Sequence, residues 1–373
     1  MTDTLTFATF GCWNESILAD TQQQRVIDLL KRNHGLDKYN FLILLGDNYY
    51  SKKVKHDVLD LEKFDDAGKP FKKEIKYNDI NLIDMKKGFD YLSSNISIPI
   101  KMILGNHEIK DGTNQGCSNM RSQLKLPWYD IKFPYDYEDH FLLIKGDYKI
   151  IKFIYLDITV YSMKDTTNTC YERVINKTAN QIIEEQKEFI RNQLLLLNKD
   201  NTNTVVFIGH EPLITFRFKK KSSIGYLSLL DDIYELTKGM HEYFNFHYIC
   251  ADFHNFEEAN IIKPYTGGIK DFKIQQLVFG TGGKKDLDER FNPTKDNRSD
   301  LINGFKYDMI HRYSSDEPFF CYDTKPLHVN GYGEITIGVD GLGYKFIPLE
   351  NKQQEWKMKY LKYKNKYIKL LNE

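Results

Sequence analysis

Phe41-Leu42-Ile43-Leu44-Leu45-Gly46-Asp47-Asn48-Tyr49-Tyr50 decides how the rest of the chain is read. Five apolar residues in a row, stopped by Gly, describe a strand buried on both faces, as in the middle of an α/β sheet. Directly beyond it stand a carboxylate, a carboxamide and two phenols. Open sheets bind ligands in the crevice past the carboxyl ends of their strands, so chemistry is expected here. Asp after Gly is also an ordinary turn residue, and the reading gains force only if other strands end in the same way.

They do. Working toward the N-terminus, a strand at Leu5 to Phe10 ends in Gly11-Cys12-Trp13-Asn14, and an amphipathic helix carrying Ile17, Val26, Ile27, Leu29 and Leu30 follows, stopped at Gly35. Toward the C-terminus, residues 51–78 are Lys- and Asp-rich and read as an exposed excursion. A helix around Leu82 to Leu92 leads to a strand, Ile98 to Leu104, that ends in Gly105-Asn106-His107-Glu108. Residues 111–135 lack any period and read as loop. Strands at 141–144 and 150–156 (the latter ending at Asp157), a helix at 180–197, and a strand at 204–208 ending in Gly209-His210-Glu211-Pro212 come next. A strand at 246–250 ends in Ala251-Asp252-Phe253-His254-Asn255-Phe256, and one at 276–279 ends in Gly280-Thr281-Gly282. Residues 286–318 read as a polar insertion, and Gly331 to Ile347 as a hairpin around Asp340-Gly341. Strands alternating with helices give an α/β fold. Five strand ends present Cys12, Asp47, Asn106, His210 and the Asp252/His254 pair.

The chain has 373 residues, 41% of them hydrophobic, enough for a sizeable core. Lys+Arg and Asp+Glu are equal at 52 each, so net charge gives no reason to expect a nucleic-acid partner. The N-terminus has no secretory pattern and no apolar run is long enough to span a bilayer, from which a cytoplasmic protein is expected. Five widely spaced cysteines do not form a disulfide framework, and a reducing compartment is expected.

Taken singly, His107 and His210 fit satisfied turn residues, Asn106 a helix cap and Tyr50 a core aromatic. Together, Asp, Asn, His and Tyr donors suit Zn, Fe or Mn. Two such ions about 3.5–4 Å apart, sharing one carboxylate, are a recurring device for cleaving phosphate esters. The blocks Gly46-Asp47-Asn48-Tyr49-Tyr50, Gly105-Asn106-His107-Glu108, Gly209-His210-Glu211-Pro212 and His254-Asn255 resemble those of calcineurin-like metallophosphoesterases, nearest to the purple (tartrate-resistant) acid phosphatases. The resemblance covers most of residues 4–350. It implies a four-layer αββα sandwich over residues 1–350 and two metal ions. It also implies hydrolysis of a phosphorylated small molecule or phosphoprotein. By the same resemblance Asp47 bridges both metals, Tyr50 and His254 bind the first, Asn106 and His210 bind the second, and His107 contacts substrate and protonates the leaving group.

The sequence departs from the family pattern twice. Cys12 stands where the first metal's carboxylate is usual, and Asp252 stands where a second-metal imidazole is usual. Asp252 retains a suitable oxygen. Cys12 is either a thiolate ligand or a small buried residue beside a weakened first site. A non-catalytic phosphatase-fold protein acting as a binding or structural component is therefore a competing expectation. A phosphodiesterase or nucleotide hydrolase, with Lys52 to Lys55 and Lys219 to Lys221 facing a polyanion, is a third. Finally, residues 351–373 read as a basic C-terminal helix: Trp356, Tyr360, Tyr363, Tyr367 and Leu370 make an apolar seam among lysines. That helix either docks on its own domain, binds a protein partner or lies on an anionic surface. This tail resembles one found at the C-termini of giant-virus proteins, which would place the protein in a host cytoplasm or virion.

Overall fold

The computed structural model describes residues 3–14, 21–35, 38–50, 57–64, 70–74, 77–109, 117–144, 147–216, 223–224, 226–254, 256–265, 267–282, 304–312 and 330–349. From the N-terminus, β1 (Leu5–Phe10) leads to α1 (Gln22–His34), β2 (Phe41–Leu45), a hairpin of β3 (Asp57–Phe64) and β4 (Pro70–Glu74), then α2 (Tyr77–Asn95) and β5 (Ile100–Ile103). Next come α3 (Asn106–Ile109), α4 (Ser118–Gln123) and β6 (Asp130–Ile131). The chain then makes the hairpin β7 (Tyr135–Ile144) and β8 (Asp147–Leu156), three helices α5 (Thr159–Ser162), α6 (Cys170–Ile175) and α7 (Ala179–Leu195), and β9 (Thr202–Ile208). A small pair, β10 (Thr215–Phe216) and β11 (Ser223–Ile224), precedes α8 (Leu227–Leu236), β12 (Asn245–Cys250), β13 (Phe256–Lys263), β14 (Phe272–Phe279) and β15 (Lys306–Arg312). The hairpin of β16 (Gly331–Gly338) and β17 (Gly341–Pro348) closes the described chain.

Among the described residues these strands build two large sheets, ordered β17-β16-β1-β2-β5-β6 and β15-β13-β14-β12-β9-β8-β7. The centre of each is parallel: β1 with β2, β2 with β5, β5 with β6 in the first; β8 with β9, β9 with β12, β12 with β14 in the second. Parallel strands need covered faces, and the apolar runs supply them. In β2, Phe41, Ile43 and Leu45 point between the sheets, where they meet Phe153, Tyr155, Val206, Ile208, Ile249 and Leu277. Leu42 and Leu44 point the other way, into a core with Val26, Ile27 and Leu30 of α1 and Phe89 and Leu92 of α2. Ile154, Leu156, Val205 and Phe207 make the matching outer face of the second sheet under α7 and α8. Helix, sheet, sheet, helix is the resulting order of layers, and the alternation of side chains along a strand sorts each residue to its layer. Each such side chain contributes roughly 1.5–3 kcal/mol by leaving water.

Three helices begin with the same reciprocal cap: Thr21 with Gln24, Thr169 with Glu172 and Thr178 with Gln181. Along one edge the sheets are joined by charge. Lys101 of β5 pairs with Glu138 of β7, and Lys132 reaches Glu138 at 2.7 Å, Asp130 at 2.9 Å and Asp136 at 3.0 Å.

Several expectations need correction. Cys117 and Cys170 form a disulfide 53 residues apart in sequence, because α4 and α6 pack together; widely spaced cysteines on separate elements give no local sign of this. Among the described residues the cysteines build no framework of several bridges but do make this one, so their spacing no longer argues for a reducing compartment. Residues 111–135 include α4 and β6, so they are not loop throughout. The stretch 51–78 contains the β3–β4 hairpin, and 286–318 contains β15, which pairs with β13. β13 itself and α8 were not foreseen. The first helix starts at Gln22, and Ile17 lies outside the described residues, as do Cys321, Lys52 to Lys55, Lys219 to Lys221 and the whole of 351–373. No helix among the described residues is long and apolar enough to cross a membrane.

Candidate metal centre

All the strands that carry site residues end at one pole, and backbone hydrogen bonds lace those ends together. Cys12 N–H donates to Gly46 O at 3.1 Å and Trp13 N–H to Asp47 O at 3.3 Å. Gly11 N–H donates across the gap between sheets to Phe279 O at 2.9 Å, and Ala251 N–H to His210 O at 2.8 Å. Glycine lets these turns approach. A Cβ at Gly105 would overlap the Asp47 backbone nitrogen and stand 2.8 Å from His210 Nε2. A Cβ at Gly46 would stand 2.7 Å from His210 Nδ1.

Three of the side chains in question leave strands through a left-handed backbone: Cys12 at φ 56°, Asp47 at φ 48° and Asp252 at φ 49°. That region is uncommon for residues other than Gly, and it recurs where the surroundings hold a functional side chain in place.

Asp47 is buried at the centre. Its Oδ1 accepts the His107 backbone N–H at 2.9 Å and lies 3.2 Å from His210 Nε2; its Oδ2 accepts from Tyr50 Oη at 2.9 Å. Tyr50 Oη is also 3.2 Å from His254 Nε2. Asp252 Oδ1 accepts from Asn106 Nδ2 at 2.8 Å and lies 3.8 Å from His210 Nε2. The His107 ring packs edge-on against Tyr50, centroids 4.5 Å apart, with about half of its side chain exposed. Two groups of donor atoms result, Cys12–Asp47–His254 and Asp47–His210–Asp252, each with its atoms within 4.8 Å of one another. Asp47 belongs to both. Tyr50 stands beside the first and Asn106 beside the second, so every residue expected at the site is at this pole, Cys12 and Asp252 included.

The donors fit a cation. His210 Nδ1 donates to Leu45 O at 2.6 Å, which leaves Nε2 with the lone pair that a metal needs. Nε2 is buried and has no hydrogen-bond partner among the described residues. Burial alone would raise the Asp47 carboxyl pKa, but the His210 and His107 rings outweigh it and hold it well below the usual carboxylate range. Burial would lower the His210 pKa, but Asp47, Glu211 and Asp252 raise it: this ring is surrounded by carboxylates that favour positive charge on it. Burial, then Asp47 and Cys12, push the Tyr50 phenol well up, so a phenolate here requires an adjacent cation.

Sequence reasoning assigned no role to Glu108, Gln123, Asp157 or Glu211. Glu108 is fully buried and accepts the backbone N–H of Gly105 at 2.7 Å and of Tyr49 at 3.0 Å. Burial and Asp47 push its pKa up to about 7. Asp157, at the end of β8, accepts from Tyr171 Oη at 2.6 Å and is pushed up to about 7, chiefly by burial. Glu211 accepts from Thr159 Oγ1 at 2.9 Å and Tyr226 Oη at 3.1 Å. For Glu108, Asp157 and Glu211 the place beside a strand end was the available signal; Gln123, on the last turn of α4, carried none.

A two-sheet sandwich whose strand ends meet in two donor groups with a common carboxylate is the architecture of a metal-dependent phosphoesterase. The chain belongs to the calcineurin-like phosphoesterase family, which matches residues 5–256. No curated protein matches its sequence. Among solved structures it is similar to GAP50, the anchor in the inner membrane complex of Plasmodium, at 14% identity and TM-score 0.57, over 94% of this chain and 86% of that one. It is also similar to the purple acid phosphatase PPD1 of yellow lupin seeds, at 14% identity and TM-score 0.50. That match covers 93% of this chain and 52% of the lupin protein, so the chain spans about half its length. PhoD is similar at 12% identity and TM-score 0.50, over 92% of this chain and 69% of that one. At such identities the likeness concerns the fold.

Proposed function

We propose that the protein hydrolyses phosphomonoesters at a dinuclear centre. The observation that carries this reading is Asp47, whose two oxygens face different partners, Oδ1 toward His210 and Oδ2 toward Tyr50, and which belongs to both donor groups. Cys12, Asp47, Tyr50 and His254 would hold one ion, and Asp47, Asn106, His210 and Asp252 the other. Bound there, the ions would supply Lewis-acid polarisation of the ester and a water acidic enough to react near neutral pH.

The chain's own residues do the rest. Asn106, fixed by its hydrogen bond to Asp252, orients a phosphoryl oxygen, since positioning and charge neutralisation are most of what phosphoryl transfer needs. The backbone of His107 is anchored on Asp47 while its ring stays accessible, so it can give a proton to the leaving alkoxide. Buried Glu108 holds the Asp47 and Asn106 turns at a fixed separation.

A second reading, a phosphatase-fold protein that binds without turnover, draws on one observation: the first donor group offers a thiol where the resemblance leads one to expect a carboxylate. The likeness to the Plasmodium anchor is compatible with it. Metal content and phosphatase rate, measured on wild type and Cys12→Asp, separate the two. Two ions per chain and turnover by wild type support the hydrolase; no bound ion and no turnover in either protein would sink it. A large gain in Cys12→Asp alone assigns the natural protein to the binding class.

A further inference from the structure

Glu108 divides its two oxygens between two turns. Oε1 accepts the N–H of Tyr49, two residues after Asp47, and Oε2 accepts the N–H of Gly105, just before Asn106. The same Oε1 accepts from Gln123 Nε2 at 3.1 Å. Gln123 is fully buried on the last turn of α4, and its own oxygen accepts from Asn48 Nδ2 at 3.3 Å. Asn48 in turn accepts from Trp13 Nε1 at 3.2 Å and donates to Ile103 O at 2.8 Å. One carboxamide, supplied by a helix outside both sheets, therefore connects the ends of β1, β2 and β5.

That helix has six residues, too few to hold its own shape in water. It is fastened from outside. Cys117, immediately before it, is bonded to Cys170 of α6, and Arg121 Nη2 donates to Arg173 O at 3.1 Å. α6 is itself fixed to the second sheet through Tyr171 and Asp157.

We propose that Gln123 is a positioning residue for the candidate metal centre, and that the Cys117–Cys170 disulfide keeps it in register. Loss of either link lets the Asp47 turn move against the Asn106 turn. The inference rests on reading the strand-end donors as a metal centre, and adds a supporting layer to it. A displacement of about 1 Å in such a site is enough to cost roughly 10²-fold in rate.

Gln123→Met keeps the volume and removes both hydrogen bonds, so packing is largely retained. It is compared with Cys117→Ala/Cys170→Ala and with all three substitutions combined; Gln123→Asn serves if the Met variant melts early. Amide hydrogen exchange at Tyr49 and Gly105, Mn²⁺ affinity by calorimetry, and kcat and KM on p-nitrophenyl phosphate are measured. Gln123→Met is expected to speed exchange at those two amides while β12 stays protected. It should also weaken Mn²⁺ binding and lower kcat by about 10- to 100-fold with KM unchanged. The cysteine variant should do the same, and the triple variant should be no worse than the more affected parent, because both act through one link. Unchanged exchange and unchanged Mn²⁺ affinity in Gln123→Met overturn the proposal, as do fully additive losses. If wild type turns over no phosphate ester while the exchange and Mn²⁺ effects appear, the hydrolase reading falls and this one stands.

Discussion

Cys12, Asp47 and Asp252 share a left-handed backbone, and that shared geometry bears on what can replace them. Asp and Asn enter this region more readily than other side chains with a Cβ, because their short polar groups bond locally. Cys12 is the exception among the three, so Cys12→Asp should fit without backbone cost. At the same scale, His107 is separable from the cation donors because its hydrogen bond to Asp47 is made by the backbone N–H, while its ring lies 3.9 Å from Asp47 Oδ2 with about half of the side chain exposed. His107→Ala should therefore leave the metal content unchanged and lower turnover of alkyl phosphates by about 10²–10⁴. p-Nitrophenyl phosphate, whose leaving group needs little protonation, should lose far less. Equal losses on the two substrates would remove His107 from the acid role. Tyr50 offers a colour test. Loaded with Fe³⁺, a protein with Tyr50 as ligand should absorb in the visible, and Tyr50→Phe should lose that band; a band that survives would take Tyr50 out of the ligand set.

The elements work as pieces that place turns, and glycine sets how closely the turns can approach. Gly105→Ala should abolish metal uptake and lower stability by about 1–3 kcal/mol, since its Cβ would collide with Asp47 and His210. Gly343→Ala is the control, because among the described residues its Cβ would meet only Thr336 O at 3.8 Å. Normal metal uptake by Gly105→Ala would show that the turns can separate without harm. At this scale the sequence was informative where an element carried its own pattern. The unbroken apolar run of β2 had to be a two-faced strand, the ends of β2, β5 and β9 followed from Gly plus a donor, and that of β12 from Ala251-Asp252 with His254 two residues on. Elements whose reason lies elsewhere were not legible. Ser118–Gln123 has no apolar period, and its purpose appears only when Gln123 meets Glu108. Cys117 and Cys170 look unrelated until α4 and α6 pack. β15 is a polar edge strand that exists by pairing with β13.

Across the molecule, histidine and carboxylate burial away from the metal centre sets how the fold meets acid. His247 sits near the start of β12 with Nδ1 2.9 Å from Gln275 Oε1; burial, with Lys273 nearby, pushes its pKa down to about 4. His241, packed on Phe246 and Phe272, is pushed down to about 4 by burial and by Lys270. Both are neutral in the folded chain at pH values where the unfolded chain has them protonated. The unfolded state therefore binds more protons between about pH 6.5 and 4, and stability must fall as pH drops through that window. For His247 alone the full loss is on the order of 3 kcal/mol. Glu138 acts in the same direction at lower pH. Burial would raise its pKa, but His140, Lys101 and Lys132 hold it below the usual range, so the joint it makes between the sheets persists above about pH 4 and weakens below. Urea unfolding of the chelator-treated protein at pH 7, 6, 5 and 4.5 should show a falling midpoint, and His247→Gln should fall less steeply because one of the two histidines no longer titrates. The comparison isolates His247, since groups at the metal centre titrate alike in both proteins. Parallel slopes for wild type and variant would mean that His247 is already protonated in the fold, or hydrated enough not to resist protonation. The loss of stability over this range would then have to come from groups other than His247, His241 first among them.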